Sequence, residues 1–249
     1  MPKSLSLSMN RLFYAFLLLF ALLGCHKEST PEEQKELRRQ LEAEVPKDKV
    51  REFLTEYGKE NPETEVLIST SLGKMKVKLY EDTPLHRANF IRLVKGGYYD
   101  NTVFYRILRG FMIQGGHGNE LENTPDLYTV PVEIKRHHFH KKGALAMARY
   151  DDKVNPTKAS SAHNFYLVQG TPVSIPELED IAQEKGLTLT PEQRKLYPEI
   201  GGAPTLDEQY TVFGEITEGL PVLDKIANYP VNTEDRPLKP IYVTMKVLD

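Results

Sequence analysis

A segment that alternates apolar and charged residues one by one is committed to a strand with one face in a core and the other in water. Residues 73–79 do this: Met75, Val77 and Leu79 alternate with Lys74, Lys76 and Lys78. "EVLIST" precedes them across a turn at Leu72-Gly73-Lys74, and the last segment turns Ile241, Val243, Met245 and Val247 inward. Helical punctuation lies near each end. Thr83 as cap, Pro84 at the first position and Gly96-Gly97 as stop bound a helix with Ala88, Ile91 and Val94 on one face, and Pro221 opens another reaching about Asn228. Many short strands with a helix near each end favour a mainly β, closed and mostly antiparallel barrel over a parallel α/β sheet.

The first 24 residues read as a leader outside that fold. Lys3 and Arg11 precede the apolar run Leu12 to Leu23, which falls short of the ~20 residues a membrane-spanning helix needs but suits a signal-peptide core. It ends in "LLGC". Cys25 is the only cysteine, so no internal disulfide exists, and the small Gly24 before it resembles the lipobox of bacterial lipoproteins. That resemblance implies acylation of Cys25, a membrane tether and a position in the cell envelope on the extracytoplasmic side. Each acyl chain contributes ~0.8 kcal/mol per buried methylene. An ordinary secretory signal is the alternative.

Residues 25–62 read as a tether with a helical extension. After Pro31, Leu37, Leu41 and Val45 recur every four residues until Pro46. Val50, Phe53, Leu54 and Tyr57 then follow the amphipathic helix period. This extension is expected to dock on the domain, a partner-binding element being the alternative. The domain itself runs from 63 to 249. A net charge of −3 leaves no general footprint for nucleic acid, and nothing in the sequence points beyond a monomer.

Chemistry concentrates at "VFYRILRGFMIQGG", residues 103–116. Arg106 stands in an apolar strand with Val103, Phe104 and Ile107. A guanidinium cannot shed its proton, so it must either pair with an acid or stand at the rim of a pocket. Five segments in order, "FYRILRGFMIQGG", "GALAMAR", "NFYLVQG", "LDEQYTVFGEI" and the final helix and strand, resemble the cyclophilin-type peptidyl-prolyl isomerases from about Glu65 to Asp249. The resemblance implies an eight-stranded antiparallel barrel capped by two helices, with the site on its outer surface. It also implies catalysis of X–Pro isomerisation with no cofactor and no metal, with proline-containing polypeptides as partners. Arg106 matches the catalytic arginine. Phe111, Met112, Leu206 and Tyr166 match pocket positions, Gln114 the glutamine that holds substrate backbone, and Ala148 a small groove residue. Tyr210 sits where many members carry histidine. A non-catalytic module that binds proline segments as a chaperone or scaffold is the rival reading.

Departures from the family pattern cluster. Ala162, His163 and Asn164 stand where Gly-Ser-Gln is common; Asn164 shortens a substrate-binding glutamine by one methylene, and His163 is expected to narrow or enter the groove. Tyr105 replaces a frequent histidine and His117 an aspartate. Thr205 stands where a tryptophan often contacts cyclosporin, so the resemblance implies reduced drug affinity. An insertion from about 171 to 204 holds two helical patterns, 176–185 stopped by Gly186 and a capping box at "TPEQ". A wall or lid beside the groove is expected of it, with a spacer packed elsewhere as the alternative. "KRHHFHKK" at 135–142 reads as a solvated basic loop, because no carboxylate or cysteine pattern accompanies His138 and His140.

Overall fold

Eight strands close into a barrel in the computed structural model, which describes residues 30–118 and 126–248. The leader and Cys25 lie outside the described residues. The barrel strands are β1 (Glu65–Thr70), β2 (Gly73–Leu79), β3 (Thr102–Leu108), β4 (Met112–His117), β6 (Ala144–Met147), β8 (Phe165–Val168), β9 (Val212–Glu218) and β10 (Tyr242–Leu248). Around the barrel the order is β1-β10-β3-β4-β8-β6-β9-β2, with every pair antiparallel. A separate two-stranded pair joins β5 (Thr129–Val130) to β7 (Ser160–Ser161). The helices are α1 (Pro31–Ala43), α2 (Val50–Glu60), α3 (Pro84–Lys95), α4 (Ile175–Lys185), α5 (Pro191–Ile200) and α6 (Leu220–Ala227).

The alternating residues fill the barrel. Met75, Val77, Leu79, Ile241 and Val243 are almost fully buried, together with Phe104, Ile113, Leu145, Phe165, Leu167 and Phe213. Two helices add to the same core, α3 through Phe90 and Ile91 and α6 through Leu223 and Ile226. Phe90 meets Phe165 edge-on at 5.9 Å and Phe213 at 5.4 Å, and burying each ring contributes ~1.5–3 kcal/mol. The cap of α3 differs from the sequence reading. Thr83 donates to the Tyr80 carbonyl instead, and the Glu133 carboxylate accepts from the N–H groups of Leu85 and His86. A full carboxylate at a helix start also suits the helix dipole.

β6, "ALAM", and β8, "FYLV", are buried at every position. Inward residues Leu145, Met147, Phe165 and Leu167 serve the barrel core, whereas Ala144, Ala146, Tyr166 and Val168 belong to a second apolar cluster on the outer face. Strands that bury both faces need no alternation. That outer cluster is where the candidate site forms.

The N-terminal extension docks through arginines of α3. Arg87 donates to the carbonyls of Gly58 and Asn61 at the end of α2, and Arg92 to the Leu41 carbonyl near the end of α1. These groups have no partners within their own helices. Arg38 of α1 returns two bonds to the carbonyls of Tyr98 and Asp100, while Leu41 and Leu54 are buried.

The insertion leaves and rejoins the barrel at one point. Thr171 bridges Gly202, and a Cβ on Gly170, whose φ is +61°, would lie 2.4 Å from the Gly202 backbone. Only glycine allows that approach. Ser174 caps α4, Gly186 ends it in the left-handed conformation, and Thr190 and Gln193 form the expected capping box on α5. Val173, Leu178, Ala182, Leu189 and Tyr197 pack with Phe139 into a core of their own.

Candidate functional site

Arg106 reaches the surface through an irregularity in β3. Strict alternation would give it the same face as Phe104, yet Phe104 is buried in the barrel and Arg106 is exposed. The register shows how: Phe104 faces Gly115 and Arg106 faces Gln114, so Tyr105 and Arg106 together oppose one residue of β4. Such a bulge re-aims a side chain. Ile107 then returns to the core. Among the described residues, Arg106 forms no ion pair or side-chain hydrogen bond, so it is not held by an acid. Its neighbours across the sheet are Gln114 on β4, then Tyr166 on β8 and Ala146 on β6.

Beside this row lies the outer apolar cluster. Met112, Tyr166, Val168, Ala203 and Val212 form its buried part, with Phe111, Ala148, Leu206 and Tyr210 half-buried against it. Six sequence-predicted residues, Phe111, Met112, Ala148, Tyr166, Leu206 and Tyr210, are thus brought to one surface. Tyr166 and Tyr210 meet edge-on at 6.0 Å, and the Arg149 guanidinium lies 4.8 Å over the Tyr210 ring. Arg149 also donates to the Gln209 carbonyl at 2.7 Å, fixing that wall. A fixed cation and an amide at the rim of a shallow apolar surface suit a neutral, apolar ring flanked by peptide groups.

Residues 65–247 match the family model for cyclophilin type peptidyl-prolyl cis-trans isomerases. The chain belongs to this family. A Staphylococcus saprophyticus protein named as a peptidyl-prolyl cis-trans isomerase is 33% identical over 186 residues, covering 73% of this chain and 89% of that protein. A Staphylococcus aureus protein of the same name is 31% identical over 197 residues, with the same coverage. Among solved structures, the Cryptosporidium parvum cyclophilin type isomerase superposes with a TM-score of 0.56 at 23% identity, covering 75% of this chain and 98% of that one. The protein is therefore a peptidyl-prolyl cis-trans isomerase, and its barrel is the cyclophilin barrel.

The departures from the cyclophilin pattern turn out to be bonded to one another. Tyr105 stacks on His117 at 3.9 Å and donates its hydroxyl to Asn164 Oδ1 at 3.1 Å. The Asn164 amide donates to Ser161 Oγ, which donates to Asp126 at 2.7 Å. His163 does not enter the groove. It is 1% exposed, with Nδ1 2.7 Å from Glu42 and 3.1 Å from Asp126. Glu42 comes from α1 and also accepts from the Tyr98 hydroxyl and the Leu127 N–H. The extension thereby meets the loop that presents Asn164. Nothing in the sequence alone couples Glu42 to His163, 121 positions on.

Burial favours protonation of Glu42, but the His163 imidazole and the two donors outweigh it and hold the carboxyl below its usual 4.5. A depressed carboxyl stabilises the fold above its unfolded pKa, and that contribution is lost as pH falls through the folded value. Glu42→Gln is therefore expected to flatten the acid side of the stability profile below about pH 4.5. Tyrosine fluorescence across an acid titration checks this, and an unchanged profile would refute it. Asp126 moves the other way, raised chiefly by burial.

Behind Tyr166 lies a second buried network. The His140 ring has Nε2 2.9 Å from the Tyr166 hydroxyl and Nδ1 2.9 Å from Asp207 Oδ1, which also accepts from the His140 N–H. Asp207 Oδ2 accepts from Gln193 at 2.9 Å and from the Tyr197 hydroxyl at 2.6 Å, both on α5. The insertion thus backs the wall of the apolar surface through Asp207. His140 and Phe139 are buried, so the basic run at 135–142 is not the uniformly solvated loop its composition suggests. Its missing carboxylate is supplied by Asp82, to which His137 and His138 both turn.

Proposed function

We propose that Arg106 is the catalytic residue and that the enzyme acts on X–Pro bonds of exported proteins, assisting their folding. The free guanidinium at the rim of the apolar surface is the observation that carries this reading. An X–Pro bond interconverts over tens to hundreds of seconds because amide resonance sets a barrier of ~18–20 kcal/mol. As the bond twists, the prolyl nitrogen becomes pyramidal and its lone pair becomes available. Arg106 donates a hydrogen bond to that lone pair, which the planar ground state offers poorly, so the contact favours the transition state. Phe111, Met112, Leu206 and Tyr166 seat the prolyl ring, with Ala148 and Tyr210 along the groove. Gln114 and Asn164 hold the flanking backbone. Isomerisation of a short X–Pro peptide by residues 26–249, compared with Arg106→Ala, tests this assignment.

Lipid on Cys25 would keep the enzyme, a monomer, in the cell envelope on the extracytoplasmic side, where exported chains emerge. The run Leu12 to Leu23 ending in Gly24-Cys25 supports that location. Cys25→Ser is expected to move the protein from the membrane fraction to the soluble fraction without altering peptide isomerisation. Retention of the serine variant in the membrane fraction would overturn the lipid tether. Thr205, exposed at the edge of the apolar surface, supports weakened cyclosporin binding.

A further inference from the structure

The run Arg136-His137-His138-Phe139-His140 is split by the fold. Phe139 and His140 face inward, Phe139 against Tyr197 at 5.3 Å and His140 on Asp207. His137 and His138 are left over the turn between β2 and α3, where Asp82 lies. His138 stacks on Tyr80, with centroids 3.8 Å apart and planes 12° from parallel, and its side chain is only 14% exposed. His138 Nε2 is 2.6 Å from Asp82 Oδ1, and His137 Nε2 is 2.7 Å from Asp82 Oδ2. The ligand atoms of all three residues lie within 4.8 Å of one another.

We propose that Asp82, His137 and His138 form a binding site for a divalent transition-metal ion, zinc in particular. Both imidazoles aim the same nitrogen at one carboxylate. A cation placed among these three groups needs only small adjustments to reach the ~2.0–2.2 Å typical of zinc bound to nitrogen and carboxylate oxygen. Two imidazoles and one carboxylate suit zinc, nickel or copper, whereas calcium and magnesium prefer all-oxygen shells. Three protein ligands leave room for water or a further donor.

The local charges agree with this assignment. Three cations of the run are paired with acids, Arg136 with Glu208, Lys141 with Glu215 and Lys142 with Asp224, while Lys135 points its charge into solvent. His138 is held in place by its stack on Tyr80, so its Nε2 stays aimed at Asp82. A bound ion would join the turn after β2 to the loop that carries His140.

The test uses residues 26–249 without an affinity tag of histidines, a chain that keeps every described residue and removes the Cys25 thiol. Zinc chloride is titrated calorimetrically into metal-free wild type, Asp82→Asn and His137→Ala at pH 7.5. One ion per chain with affinity on the order of micromolar is expected, weakened at least tenfold in each variant and again at pH 5.5, where imidazoles protonate. Circular dichroism of the metal-free variants, expected to match wild type, separates lost ligation from lost folding. Absence of saturable binding below millimolar zinc overturns the site, as does wild-type affinity in either folded variant.

Discussion

Replacing Arg106 by alanine is expected to lower kcat/KM on an X–Pro peptide by about 10²–10³-fold, the usual cost of removing one preorganised donor from a transition state. The loss should fall on kcat more than on KM, because the bond to the prolyl nitrogen forms only as the amide twists. Folding should be untouched, since the Arg106 side chain is exposed and forms no hydrogen bond or ion pair with any described residue. Arg106→Lys makes the sharper comparison. Lysine keeps the charge but lacks the rigid planar fork, so it should recover little of the lost rate if directed donation matters. Full recovery by lysine would mean that positive potential suffices. Unchanged activity in the alanine variant would remove Arg106 from the mechanism.

Asp207→Ala should have the largest effect on stability, about 3–5 kcal/mol, the range found when one partner of a buried charged network is deleted. Its carboxylate is 3% exposed and accepts bonds from the His140 backbone, Gln193 and Tyr197. Without it these donors stay buried with no acceptor. Stabilities of 5–15 kcal/mol are typical for whole proteins, so the variant should unfold at markedly lower temperature or denaturant concentration. Tyr197→Phe is the mild counterpart. It removes one hydroxyl and is expected to cost about 1–2 kcal/mol while leaving the fold intact. A double-mutant cycle of Tyr197→Phe with Asp207→Asn should be clearly non-additive, because both act on one carboxylate. Additive losses, or an Asp207→Ala variant as stable as wild type, would show that the insertion does not brace the wall through this residue. Deleting 172–202 should then destabilise the protein as well, since Tyr197 and Gln193 leave together.

Much of the architecture was legible because its causes are local. The alternation of Met75, Val77 and Leu79 with lysines is a statement about two faces of one strand, and β2 carries it out. The capping box at Thr190 and Gln193 and the glycine stop at Gly186 satisfy backbone groups within a few residues, so they survived into α5 and α4 unchanged. The extension's apolar spacing likewise foretold helices. Helix α3 was found, yet its cap was not, because Glu133 arrives from 48 positions away.

The site residues divide along the same line. Arg106 stood out because a permanent cation in an apolar strand demands an explanation from sequence alone. Where it points was decided by the register between β3 and β4, since the bulge at Tyr105 reverses the parity that alternation implies. His163 illustrates the converse: a bulky residue beside a substrate position suggested an obstructed groove, but carboxylates from α1 and from Asp126 draw it inward. Short-range pattern thus determined strands such as β2 and β10 and the helices, whereas β6 and β8, buried on both faces, carry no alternation to read. Tertiary structure alone decided which titratable side chains meet, Glu42 with His163 and Asp207 with His140 in the interior and Asp82 with the paired histidines at the surface. Local pattern reports which groups must leave water, whereas a buried charge takes its partner from whatever segment the closed barrel brings within hydrogen-bond reach.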